Sequence, residues 1–305
     1  MVKILELQIN ESSIFKLLID IISKIKDDII IEIICEDNIT DTTKKNKKSN
    51  IYTEGILKII TLDSTKTSFI DLKLKSEYFN IFKSKNKTYD ISISTVNFNK
   101  ILKTMNKDDM LIMFIDSEDT NKLFIEILNI DNNIMKYYIK LYDNEKKNLF
   151  PKLTFNAICT INGTKFHKIC NDMSKFAEDI IIDVNQDSIN ISCDGEIIGG
   201  KMIINKDITI KFNNTNINNI TNKFGLKYFL LFDKCVSNCY NIQLFFAENH
   251  PICIKYILYN QNEDTPIEIG QIILGISPID DSYADNFSDD DDVYQNTESS
   301  LKLKC

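Results

Sequence analysis

The chain has 305 residues, 43% of them hydrophobic, enough for one large domain or two of ordinary size with a substantial core. Its net charge is −8 and all 36 basic residues are lysine; with no arginine, an arginine finger and bidentate arginine reading of guanine are excluded, while lysine contacts to phosphate are not. No run has the length and apolarity of a membrane span, the first residues do not read as a signal peptide, and the eight cysteines sit mostly in apolar segments, as reduced, buried thiols of an intracellular protein do.

Four segments carry helical periodicity, and nearly all the rest alternates like strand. The first is SIFKLLIDIISKIK, Ser13 to Lys26, with Ile14, Leu17, Leu18, Ile21 and Ile25 on one face and Lys16, Lys24 and Lys26 shown to solvent. The polar, lysine-rich stretch from Glu36 to Glu54 reads as a loop. The second helix, TVNFNKILKTM from Thr95 to Met105, turns Phe98, Ile101, Leu102 and Met105 inward and Lys100 and Lys103 outward. Asp143 to Leu153 is a polar linker around Leu149-Phe150-Pro151, and the proline argues against helix or central strand there. The third helix, GTKFHKICNDMSKFA from Gly163 to Ala177, aligns Phe166, Ile169, Cys170, Met173, Phe176 and Ala177 against Lys168, Asn171 and Lys175, and leaves His167 off the stripe, toward solvent. The fourth, Gly225 to Val236, is less regular: Tyr228, Leu231, Phe232 and Cys235 share one face, Lys227 and Lys234 another. One helix thus recurs four times between strand-rich blocks, an internal repeat of strand, helix and several strands, twice in each half. Residues 280–305 carry eight acids and two lysines and read as a disordered tail, which leaves the body at only about −2.

Two places suggest enzyme chemistry, and each has a plainer reading. In SCDGEIIGGKMIINKD, Ser192 to Asp207, Gly195, Gly200 and Lys201 nearly spell a phosphate-binding loop. Met202 stands where the magnesium-holding hydroxyl belongs, and the residues that follow alternate as strand, so a glycine turn between two strands is expected. His167 with Cys170, and Cys235 with Cys239, have helical spacing that suits a zinc site, but Cys170 and Cys235 lie on apolar stripes, where cysteine acts as a small hydrophobe. No cofactor and no metal is expected.

Lysine on the polar face of one helix is ordinary solvation. Four such helices side by side would make a broad basic surface that binds nucleic acid through its phosphates, without reading bases. The chain also resembles a known family. GILKIITLDSTKTSFIDLKLKSEYF, Gly55 to Phe79, with Leu62-Asp63-Ser64 and Asp71-Leu72-Lys73-Leu74, resembles the signature of proliferating cell nuclear antigen, the eukaryotic and viral DNA sliding clamp. FNKILKTMNKDDMLIM from Phe98, FHKICNDMSKFAEDIII from Phe166 and the glycine turn at Gly195 follow in the family's order, so the resemblance spans about residues 1–279.

The resemblance implies an α+β fold of two similar clamp domains, each a duplicated strand–helix–strands unit with helices lining a DNA hole and sheets outside. Domains are expected at 1–142 and 154–279, with a connector at 143–153 and the acidic tail at 280–305. It implies a non-catalytic processivity factor that closes head to tail into a homotrimer around double-stranded DNA, without sequence preference. Its partners would be DNA polymerase, other proteins with a clamp-binding motif and a clamp loader, in the nucleus or at a site of viral DNA replication, and not a membrane. The DNA-facing residues would be Lys16, Lys24, Lys100, Lys103, Lys165, Lys168, Lys175, Lys227 and Lys234. The trimer contact would use Tyr137 and Ile139 on one side and Lys201 and Ile203 on the other. The partner-peptide pocket would use Leu62, Lys66, Phe69, Phe150, Pro251, Ile273 and Leu274. The sequence departs from the family pattern in four ways. Gln186 stands at the family's ubiquitin-accepting lysine, and the usual Leu-Ala-Pro ending becomes Leu274-Gly275-Ile276-Ser277-Pro278. Ile19 and Leu230 fall where inner-face polar residues are expected, and the 36–54 loop and tail are longer than typical. Two rivals stand: a same-fold processivity factor or checkpoint-clamp subunit that is not a homotrimer, and a nucleotide- or zinc-dependent enzyme.

Overall fold

The structure is a computed structural model that describes residues 2–36, 51–143, 153–213, 217–260 and 266–279. The expected repeat runs through it four times. The first pass is β1 (Lys3–Ile9), α1 (Ser13–Ile22), β2 (Asp28–Cys35), β3 (Gly55–Leu62), β4 (Ser68–Lys75) and β5 (Ile81–Ser84). The second is β6 (Thr88–Ser94), α2 (Thr95–Leu102), β7 (Met110–Asp116), β8 (Asp119–Leu128) and β9 (Ile134–Lys140). The third is β10 (Ala157–Asn162), α3 (Gly163–Met173), β11 (Asp179–Asn185), β12 (Ile189–Asp194), β13 (Gly199–Ile204) and β14 (Ile208–Phe212). The fourth is β15 (Asn219–Gly225), α4 (Leu226–Leu231), β16 (Asn241–Phe246), β17 (Ile252–Asn260) and β18 (Ile267–Ile276).

Two compact units result, Met1–Ser64 with Ile70–Glu145 and Leu258–Ile272, and Thr65–Phe69 with Lys146–Ile257 and Ile273–Cys305; β4, β17 and β18 give residues to each. In the first unit a five-stranded sheet runs β5-β1-β7-β8-β9, and β4-β3-β2-β6 lie side by side in a second. In the second unit a four-stranded sheet runs β13-β12-β11-β15, and β14-β10-β16-β17 form another. Strands such as β3, with strict alternation of buried and half-buried residues, form because one face is packed and the other is not.

The helices form where a capped, amphipathic stretch meets the sheet. Ser94 accepts a hydrogen bond from the Asn97 amide and Asn162 from the Lys165 amide, each satisfying an orphan donor of a first turn. Helix α1 buries a wider arc than one stripe, Ile14, Phe15, Leu18, Ile19, Ile21 and Ile22, because it also packs against α2, with Phe15 edge-on to Phe98 at 6.0 Å. That arc explains Ile19, which is fully buried rather than on the polar side. Phe176, by contrast, is 44% exposed. Helix α3 ends at Met173, so its period no longer governs that residue.

The glycine turn is as expected: β12 pairs antiparallel with β13, Cys193 opposite Gly200 and Ser192 opposite Lys201. Gly195 is required there, since a Cβ would overlap the Phe176 carbonyl oxygen.

His167 is a correction. It is 1% exposed, not solvent-facing. The 3-10 turn Asp233–Asn238 that follows α4 packs on α3 and closes over the ring. Nε2 lies 3.0 Å from the Tyr256 hydroxyl, while Nδ1 stands 3.9 Å from the Asp233 carboxylate, without a hydrogen bond. Burial pushes its pKa down to about 4, the Asp233 charge offsetting part of the effect. The sign follows: between the unfolded value of 6.5 and about 4 the unfolded chain takes up a proton that the folded chain refuses. Stability present above 6.5 is therefore lost as pH falls through this window, by about 3 kcal/mol. His167→Gln should flatten that loss in urea unfolding at pH 7 and pH 4 at one protein concentration; an equal response in both proteins would assign it to other groups.

The neighbouring thiols do not make the zinc site considered from spacing. Cys170, Cys235 and Cys239 are free and buried, burial pushing the Cys239 thiol up to about 12. Among the described residues no group of three or more His, Cys, Asp and Glu is arranged to hold a metal ion.

Candidate functional site

In the first unit, α1 carries Lys16 and the turn after it Lys24, while α2 carries Lys100 and is capped by Lys103; Lys16 is half-buried and the other three are exposed. Their ammonium groups are not idle. Lys16 donates to the Met105 carbonyl at 2.7 Å, and Lys100 to Asn97 Oδ1 at 3.4 Å. Lys24 and Lys103 both reach the Asp20 carboxylate, at 3.1 and 3.4 Å. Asn99 Nδ2 ties the same carboxylate to α2 at 3.1 Å and also donates to Ser23 Oγ at 2.8 Å.

In the second unit, α3 carries Lys168, exposed, and Lys165, half-buried and donating to the Lys206 carbonyl at 3.3 Å, and Lys175 is exposed in the turn that follows. Lys175 pairs with Asp172 at 2.7 Å. Lys227, at the start of α4, lies 4.6 Å over the Tyr228 ring, and Lys234 is exposed in the turn beyond. The lysines read from periodicity therefore lie on the helices of each unit or in the turns just beyond them. What periodicity missed is the carboxylate among them, although Lys16-x-x-x-Asp20 and Lys168-x-x-x-Asp172 repeat the same spacing in sequence.

Each unit also ends a sheet in an edge strand. In the first it is β9, where Tyr137 is half-buried, Ile139 buried, and Ile134 and Tyr138 exposed at 52% and 56%. In the second it is β13, where Lys201, Met202 and Ile203 are all exposed, beside Ile197 and Ile198 of the preceding turn. Apolar side chains at a sheet edge are an aggregation hazard unless something pairs with them. Both edges carry exposed lysine, Lys136 and Lys140 on β9 and Lys201 on β13, and Asp194 at the end of β12 and Glu196 in the turn before β13 are exposed.

The pocket residues divide. Leu62 is half-buried at the end of β3 in the first unit. In the second unit Lys66 is exposed with φ 57° and Pro251 is half-buried, while Phe69, Ile273 and Leu274 are core residues, at 6%, 1% and 0% exposure. Phe69 owes its place to Gly275, where any Cβ would overlap its ring. Phe150 lies outside the described residues, as do residues 144–152, most of the 36–54 loop and the acidic tail. In the second unit the surface opens into a groove of about 710 Å³ lined by Thr67, Leu226, Lys227, Tyr228, Ser277 and Pro278, among others, and by none of the described pocket residues just named. Thr67 Oγ1 and the Tyr228 hydroxyl are 2.9 Å apart, and the Ser277 amide donates to the Thr67 carbonyl, so the groove's walls are cross-braced. Sequence reading found Thr67's neighbours but not Tyr228, which it assigned to a helix's apolar face.

Residues 4–148 match the family described as proliferating cell nuclear antigen, N-terminal domain, and residues 150–264 match its C-terminal domain. The protein named "Probable DNA polymerase sliding clamp 1" of Paramecium bursaria Chlorella virus 1 is 25% identical over 206 residues, 66% of this chain and 78% of the viral one. The proliferating cell nuclear antigen of Chaetomium thermophilum is 22% identical over 204 residues, 65% of this chain and 78% of its own. The crystal structure of the Entamoeba histolytica protein of that name superposes with a TM-score of 0.71 at 19% identity, covering 91% of this chain and 100% of the other, which establishes the fold. Two consecutive domain matches over a fourfold strand–helix–strands repeat place this chain in the proliferating cell nuclear antigen family.

Proposed function

We propose that this chain is a DNA polymerase processivity factor, a sliding clamp that encircles duplex DNA and tethers replication and repair enzymes to it. The observation that carries this reading is the lysine-bearing outer side of the helices in each unit, in a chain of this family. Lysine offers charge without base recognition, so such a surface follows phosphates of any sequence. Tethering is topological and needs no catalytic step. The edge strands β9 and β13, each with exposed apolar side chains, support head-to-tail closure of three copies, which leaves neither edge unpaired. The groove lined by Thr67, Tyr228 and Pro278, one residue from Lys66 in sequence, together with the connector residue Phe150, is the proposed seat of polymerase and other clamp-binding motifs. A clamp loader opens the ring, and the place of action is the nucleus or a site of viral DNA replication.

Encirclement has its own test. A closed ring threads onto linear duplex through a free end but cannot enter a circle unaided. Primer extension by the cognate polymerase should therefore be stimulated on a linear template, lose that stimulation when the ends are blocked by bulky protein, and show none on a circle until a loader is added. Equal loader-free stimulation on circles and open linear DNA would overturn it.

A further inference from the structure

Asp20 and Asp172, which hold their lysines more closely than Asp207 holds Lys165 at 3.9 Å, have no part in a purely attractive DNA surface. We propose that Asp20 and Asp172 limit the clamp's grip: each holds lysine ammonium groups that would otherwise close on phosphate, and so keeps the contact weak enough to slide. The inference rests on the reading of these helices as the DNA-facing surface.

The geometry differs between the units but the effect is common. Asp20 Oδ2 lies 3.1 Å from Lys24 Nζ in the turn after its own helix and Oδ1 lies 3.4 Å from Lys103 Nζ at the end of α2. Asn99, 6% exposed, fixes the carboxylate between the helices by its 3.1 Å hydrogen bond. Partial burial acts to raise the Asp20 pKa, but the hydrogen bonds from Asn99 and Lys24 outweigh it and hold the carboxyl below its ordinary value. Asp172 is held low by its hydrogen bond and charge contact with Lys175, with Lys168 adding a smaller pull. Both groups stay ionised at neutral pH and face lysines assigned to DNA.

The physical consequence is specific. A free lysine that meets a phosphate releases a condensed counterion, and each such contact adds about 0.9 to the slope of log affinity against log salt. A lysine already neutralised by a neighbouring carboxylate releases less, and the phosphate must displace that carboxylate and is repelled by it. Structural support alone is a poor explanation for Asp172, because it is half-exposed and its i,i+3 pair contributes little to stability.

The experiment measures binding of the full chain to a linear duplex of mixed sequence by fluorescence anisotropy over a salt series. It compares wild type, Asp20→Asn, Asp172→Asn, the double variant, and a control with Lys100→Glu and Lys168→Glu. The double variant should bind roughly tenfold tighter at low salt, with a slope steeper by about 1, and should diffuse more slowly along stretched DNA. Asp172→Asn carries the test if Asp20→Asn loosens α1 from α2, which a lowered melting temperature would show. If the lysine reversals weaken binding while the aspartate variants match wild type, the grip-limiting role is wrong and the DNA-facing assignment stands. If the lysine reversals also change nothing, the DNA-facing assignment fails and this inference falls with it.

Discussion

Changing Met202 and Ile203 together to aspartate should convert a species of about 106 kDa, three times the 35.3 kDa chain, into one of about 35 kDa at micromolar concentration, read by light scattering. Both side chains are already exposed within one chain, at 45% and 58%, so the exchange costs the fold little. In the proposed ring the same strand is covered by β9 of the next subunit. A carboxylate buried there without a partner costs about 3 kcal/mol or more, roughly a hundredfold in each contact, and closure requires all three. Loader-dependent stimulation of the polymerase should disappear with the ring, while circular dichroism and melting stay near wild type. A variant that remains at three chains would remove β13 from the interface. A wild-type monomer at micromolar concentration would remove the closed homotrimer and favour the same-fold factor that assembles otherwise.

The edge strands came from the family resemblance rather than from period: MKYYI and GGKMII each keep a buried residue, Ile139 and Ile204, so alternation alone does not mark them as edges. The repeat was legible in the residues themselves, since helical and strand periods differ and the period changes at each boundary. What stayed hidden depends on partners distant in sequence. His167 sits four residues before Asn171 on a helix whose exposed side looks polar, yet Asp233 and Tyr256 close over it. Ile19 looks misplaced until α2 is packed against α1. The fourth helix was less regular in sequence because it is short: after Leu231 the chain passes through Phe232 at φ −90°, ψ 0° into a 3-10 turn. The pocket was hardest, since burial depends on what lies above. The resemblance puts Ile273 and Leu274 in the pocket, whereas they sit at 1% and 0% exposure within the sheet core.

That depth decides how the partner site should be tested. Truncating Leu274 would open a cavity in the core and cost about 2–5 kcal/mol of stability, so weaker binding would carry no information about the groove. Bulk placed at the rim is informative instead. Thr67 is exposed and lines the groove opposite Tyr228, so Thr67→Trp should fill the opening while leaving the apolar interior intact. A polymerase-derived clamp-binding peptide titrated against wild type and Thr67→Trp should lose about 2 kcal/mol, roughly thirtyfold in affinity, because an aromatic plug contributes about that much at such a hot spot. Phe150→Ala should produce a loss of similar size if the connector residue packs over the bound peptide. Lys66→Ala, at an exposed turn, should chiefly slow association and weaken its salt dependence. Truncation after Ile279 removes the acidic tail and should leave affinity nearly unchanged, since the groove is already lined by described residues that end at Ile279. Unchanged binding by Thr67→Trp would move the site away from this groove, and loss on truncation would make the tail part of it.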